Sequence, residues 1–174
     1  GREFLGELGE PIEGEDQARG FLTGFAPFDD LMGPFEPGGV TVIAGATSMG
    51  KSALAQQLAW TSAAHGIPVL FHTNEMTARQ AFDRCVMQIS HVDGSLIKKR
   101  TWNAEEGDRL AGAVQDLRGY PLHFDGKEKP RVSQLKVRAQ RMIAQRKIQA
   151  LFIDHLQFIE PSKKGVKEFE KLTE

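Results

Sequence analysis

Val40-Thr41-Val42-Ile43-Ala44 runs directly into Gly45-Ala46-Thr47-Ser48-Met49-Gly50-Lys51-Ser52. The first five residues have the β-branched, apolar composition of a buried strand, approached through Pro37, Gly38 and Gly39. The next eight satisfy GxxxxGK[ST], the pattern of a phosphate-binding loop, and they stand where that loop must stand, between a strand and a helix. Glycines are required because the loop turns its backbone amides inward around a phosphate, and the helix start behind them adds a favourable dipole. Lys51 supplies a mobile cation for β- and γ-phosphates, and Ser52 offers a hydroxyl to Mg²⁺. The nucleotide is therefore expected to lie along Gly45, Ala46, Thr47, Ser48, Met49, Gly50, Lys51 and Ser52.

Outward from this loop, helix and strand signals alternate. Residues 51–65 read as a helix with Leu54, Ala55, Leu58 and Ala59 on one stripe, ended by Gly66, Ile67 and Pro68. Residues 69–73 are a strand. Thr77 and Gln80 form a capping box opening a helix to about residue 90, whose inner face is Ala78, Ala81, Phe82, Cys85, Val86 and Ile89. Asn103 and Glu106 open another, carrying Leu110, Ala113, Val114 and Leu117 to a stop at Gly119, Tyr120 and Pro121. A brief strand at 122–124, a basic helix at 133–147 and the segment 148–153, whose last four residues are apolar enough for a buried strand ending at Asp154, complete the pattern. Such alternation predicts an α/β fold, a mostly parallel sheet flanked by helices on both faces, with functional loops gathered at one edge of the sheet.

That edge collects the other candidate groups. A triphosphate site needs a carboxylate to hold the magnesium water shell, and Asp154 follows a buried strand in the right position; a helix cap or turn is the alternative role. Glu75 follows the 69–73 strand at the same edge and could orient or deprotonate an attacking water, or simply favour the start of the next helix. Gln157 could reach a γ-phosphate, or be a solvated loop amide. His72, His123 and His155 lack metal-ligand spacing and read as structural.

At 174 residues, 40% of them hydrophobic, the chain is sized for one domain with a real core. Its 22 Lys and Arg against 23 Asp and Glu give no global sign of a polyanionic partner. Any nucleic-acid contact must be local, and two basic clusters qualify. Arg131, Lys136, Arg138, Arg141, Arg146 and Lys147 line the 133–147 helix region, which a solvated surface also explains. Lys163, Lys164 and Lys167 follow the Asp154 strand, and contact with a phosphate backbone competes there with a solvated loop beside Glu160, Glu168 and Glu170. One cysteine, Cys85, excludes an internal disulfide and fits a reducing compartment, hence a cytoplasmic protein. No apolar run reaches the roughly 18–20 residues of a membrane span. Residues 1–20 read as a linker or arm, and 21–174 as the folded domain.

Taken in order, Thr23-Gly24-Phe25 with Phe28-Asp29-Asp30-Leu31, then Pro37-Gly38-Gly39, Ser48-Met49-Gly50-Lys51-Ser52, Asn74-Glu75-Met76 and Ile153-Asp154-His155-Leu156-Gln157-Phe158 resemble the C-terminal motor domain of DnaB-type replicative helicases, phage and plasmid relatives included. The resemblance spans residues 21–174. It implies a RecA-like P-loop NTPase fold, ATP and Mg²⁺ as cofactors, and ATP hydrolysis coupled to 5′-to-3′ translocation on single-stranded DNA and duplex unwinding. It implies roles for Lys51 and Ser52 at nucleotide and metal, Glu75 as catalytic glutamate, Asp154 as the Walker B carboxylate and Gln157 as γ-phosphate sensor. The lysines at 163, 164 and 167 fall where the family has a DNA-facing loop. A homo-hexameric ring with ATP between subunits, and primase and a helicase loader as partners, are further implications. In the family an arginine finger lies downstream of the Asp154 segment, so the domain is expected to be cut short on that side, and such a finger can be worth about 10³–10⁵ in rate. His155 stands where an aromatic is frequent and Asn74 where Leu is, the mark of a divergent or phage-like member. A RecA- or clock-type ATPase without unwinding, and a non-hydrolysing loader or scaffold module, are the competing functions.

Overall fold

A computed structural model describes residues 20–126 and 130–155. Its elements follow in the order α1 (Ala26–Met32), α2 (Lys51–Ala64), β1 (Val69–Thr73), α3 (Ala78–Ser90), α4 (Gly94–Lys99), α5 (Ala104–Gly119), β2 (Leu122–Gly126), α6 (Val132–Arg146) and β3 (Ala150–Asp154). The three strands form a parallel sheet in the order β2-β1-β3. β1 lies in the centre, and all five of its residues are buried.

Alternation along each strand assigns the two faces. Phe71 is level with Phe124 on β2 and Phe152 on β3, the ring centroids being 6.1 and 6.4 Å apart. Phe82 of α3 meets Phe124 edge-on at 6.2 Å. On this face Ala59 and Ala63 of α2, Cys85 and Val86 of α3, and Ala113 and Leu117 of α5 close over Val69, Phe71, Leu122 and Ala150. Phe71, with no exposed surface, contributes about 1.5–3 kcal/mol by its burial alone. Residues of the opposite face include His72 and its register partners Asp125 and Ile153. Arg138 of α6 reaches Asp125 there, so helices serve both faces.

Local signals place the helix starts. Thr77 and Gln80 make a complete capping box at α3, and Asn103 and Glu106 make one at α5. Two short helices, α1 and α4, carry no buried residue and hence no apolar periodicity by which to predict them. α1 is set by the turn before it, where Asp29 accepts from the backbone N–H groups of Thr23 and Gly24 and from the Thr23 hydroxyl, at 2.9, 2.8 and 2.6 Å.

One expectation fails. Residues 40–44 form no strand, and Val40 and Val42 are 89% and 69% exposed. A β-branched run has the propensity for a strand, but a strand exists only where a neighbour completes its ladder. Among the described residues, no strand pairs with 40–44, and β3, with Leu151 41% exposed, is an edge. The arm expected at 1–20 lies, except for Gly20, outside the described residues. No helix among the described residues is long and apolar enough to cross a membrane.

Candidate nucleotide-binding site

The loop before α2 turns at residues 47–50 and is exposed throughout. Its last residue, Gly50, caps the helix in the left-handed region at φ 85°, a conformation that glycine adopts without strain. Leu54 N–H donates to the Gly50 carbonyl, so α2 starts directly beneath the loop with the N–H groups of its first turn facing it. The Lys51 ammonium folds back and donates to the carbonyls of Gly45 and Ala46, each at 2.7 Å. Those bonds hold the cation at the mouth of the loop. A phosphate there would take over the same donor, exchanging neutral carbonyls for a charged acceptor.

One residue further along α2, the Ser52 hydroxyl donates to Asp154 Oδ1 at 2.9 Å. Asp154 ends β3, level with Thr73 on β1, and is 5% exposed. Its second oxygen, Oδ2, is buried without a hydrogen-bond partner. A buried carboxylate oxygen left unpaired is costly, and the natural remedy is a cation or its water. A hydroxyl and a carboxylate are hard oxygen donors of the kind Mg²⁺ accepts, usually with waters completing its shell. The pair fits a magnesium ion.

Glu75 lies two residues beyond Thr73, on the loop leaving β1, with its side chain 56% exposed. Its Oε2 is 3.8 Å from His155 Nδ1, and the same nitrogen is 3.9 Å from Asp154 Oδ1. The structure thus brings the loop, Lys51, Ser52, Asp154 and Glu75 to one edge of the sheet, as the alternation of elements required. Helix α3 is capped by Thr77, leaving the Glu75 carboxylate outside the capping box. Gln157, Lys163, Lys164 and Lys167 lie outside the described residues. His72 is fully buried and hydrogen-bonded at both nitrogens, in keeping with a structural role, and His123 is held below its ordinary pKa by burial and by the Arg146 charge.

The family model of the DnaB-like helicase C terminal domain matches residues 20–174. The chain belongs to this family. Among curated relatives, the replicative DNA helicase DnaB of Treponema pallidum (strain Nichols) is 30% identical over 141 residues, covering 80% of this chain and 32% of that protein. DnaB of Helicobacter pylori is 24% identical over 163 residues, covering 93% and 33%. The chain thus spans about a third of the length of these relatives. Two solved structures share the fold at 24% identity. One is an ATPase domain, with a TM-score of 0.78 over 94% of this chain and 60% of that one. The other is a DnaB-like replicative helicase studied for its interactions with primase, with a TM-score of 0.79 over 94% and 40%. The RecA-like, P-loop architecture expected of a DnaB-like domain is therefore present.

Sequence reasoning does not single out Asn74 or Asp125 as site residues, beyond the departure of Asn74 from the family's leucine. Asn74 bonds to the backbone of Asp154 and His155, and Asp125 to His72. No spacing rule marks them, because each contact spans 53 residues or more.

Proposed function

We propose that this chain is the ATP-hydrolysing motor of a replicative DNA helicase. The observation that carries the proposal is the Ser52–Asp154 hydrogen bond, which joins the phosphate loop to a carboxylate whose other oxygen is buried and unpartnered, in a DnaB-like chain. In this reading the amides of residues 45–50 and the Lys51 ammonium hold the phosphates of ATP, and Ser52 and Asp154 hold Mg²⁺. Bound Mg²⁺ would add positive charge at the β- and γ-phosphate oxygens. Glu75, half-exposed beside Asp154, accepts a proton from or orients the attacking water, and Gln157 contacts the γ-phosphate. Lys163, Lys164 and Lys167 contact the DNA backbone.

Family membership supports the larger setting. The full protein forms a homo-hexameric ring around single-stranded DNA in the cytoplasm, moves 5′ to 3′, and meets primase and a loader there. A related helicase has been studied for its interactions with primase, which supports the first of these partners. The test is unwinding of a forked duplex by the full-length protein, with ATP hydrolysis followed in the same tube. Unwinding that requires ATP and a 5′ single-stranded arm is expected. Hydrolysis without strand separation would indicate a RecA- or clock-type ATPase instead, and nucleotide binding without hydrolysis a loader or scaffold module.

A further inference from the structure

Behind the site, a line of hydrogen-bonded side chains crosses the sheet. His72, the fourth of the five residues of β1 and wholly buried, has Nδ1 3.1 Å from Asp125 Oδ2 and Nε2 2.7 Å from Asn74 Oδ1. Asn74 Nδ2 donates to the His155 carbonyl at 3.1 Å, and Asn74 N–H donates to the Asp154 carbonyl at 2.9 Å. At the far end, Arg138 Nη1 of α6 is 3.4 Å from the same Asp125 oxygen.

The chemistry fixes the orientation of the Asn74 amide. A backbone carbonyl can only accept, so the Asn74 amide must present its NH₂ to His155 and its oxygen to His72, and Nε2 donates. The ring's other nitrogen, Nδ1, lies within hydrogen-bond distance of the Asp125 oxygen that also accepts from Arg138. A ring hydrogen-bonded at both nitrogens, inside a strand with no solvent contact, cannot turn without breaking both bonds. It holds Asn74 in one rotamer. Asn74 in turn ties the residue before Glu75 to two successive carbonyls of the Asp154–His155 segment.

We propose that Asn74, oriented by His72 and Asp125, is a positioning residue for hydrolysis: it fixes Glu75 relative to Asp154, the two acids of the site. This rests on the reading of those acids given above. Outer-shell partners of this kind typically change activity by about 10–100-fold when removed. Asn74 is half-buried at the strand end, so its substitution should leave the fold intact.

The test compares wild type with Asn74→Asp, which keeps an acceptor for His72 but loses the donor to His155, and with Asn74→Leu, which loses both. In the full protein with ATP, Mg²⁺ and single-stranded DNA, kcat should fall about tenfold in each, while the Kd for Mg²⁺-ATP and the melting temperature stay close to wild type. Unchanged kcat overturns the proposal, and so does a loss in which binding and melting fall in proportion, the mark of a merely structural role. A wild type that binds nucleotide without turning it over overturns the catalytic reading of Glu75 and this inference with it. An independent readout tests the hydrogen bonds themselves: ¹⁵N-edited spectra should show an exchange-protected Nε2–H on His72 in the wild type, with that protection lost in Asn74→Leu. Absence of that protected N–H in the wild type overturns the proposal whatever the turnover.

Discussion

Ser52 and Asp154 are separated by 102 positions in the chain and by 2.9 Å between hydroxyl and carboxylate. The bond fastens the start of α2 to the end of β3, and it leaves Asp154 Oδ2 buried with no partner. An asparagine can still accept from Ser52 through its carbonyl but brings no charge to a cation. Asp154→Asn should therefore melt within a few degrees of wild type and lose the Mg²⁺-dependent part of its nucleotide affinity. Calorimetric titration with nucleotide in Mg²⁺ and in EDTA measures this, and an unchanged Mg²⁺ effect would remove Asp154 from the metal site.

Gly126 ends β2 against the start of α3. A Cβ there would run into the Ala78 nitrogen and lie 2.9 Å from the Thr77 carbonyl carbon, both backbone atoms that cannot swing aside. Gly126→Ala should destabilise the domain by about 1–3 kcal/mol, the usual cost of overpacking. A lowered midpoint of urea unfolding, with the slope retained, is the expected result.

The Cys85 thiol, 1% exposed in the core, is pushed up to about 12 by burial. Almost no thiolate exists at neutral pH, and the thiolate is the reactive form. Alkylation by iodoacetamide should be negligible in the native protein and rapid in denaturant. Rapid native labelling would mean that the α2–α3–α5 face opens readily.

His123 on β2 is held below its ordinary 6.5, first by desolvation and then by the Arg146 charge. The folded state thus takes up its proton at lower pH than the unfolded chain does. Stability from this group is complete above about pH 6.5 and falls as the pH drops below it, because the unfolded state then binds more protons. His123→Gln should flatten that part of the profile of unfolding free energy against pH. A profile identical to wild type would show that the ring does not contribute.

What is legible in the sequence is what depends on near neighbours. The capping boxes at Thr77 and Asn103 need residues three apart, and both can be read without any fold in hand. The phosphate loop and its helix are a motif of contiguous residues, and Asp154 can be placed because a buried strand leads into it. What depends on pairing is not legible. The β-branched run at 40–44 has strand composition without a strand neighbour among the described residues. The meeting of His72 with Asp125 follows from a parallel register between strands 53 residues apart, which no local spacing encodes. The α1 turn lies between these cases: Thr23 and Asp29 are six residues apart, yet only the bent backbone brings the carboxylate over the N–H groups of Thr23 and Gly24.

The central claim is that residues 45–52 and Asp154 form a Mg²⁺-nucleotide site, and equilibrium binding of a fluorescent ATP analogue to the chain tests it most directly. Wild type should bind saturably and more tightly in Mg²⁺ than in EDTA. Lys51→Ala, which removes an exposed cation bonded to two loop carbonyls, should lose binding with its melting temperature unchanged. Equal affinity in wild type and Lys51→Ala would contradict the account.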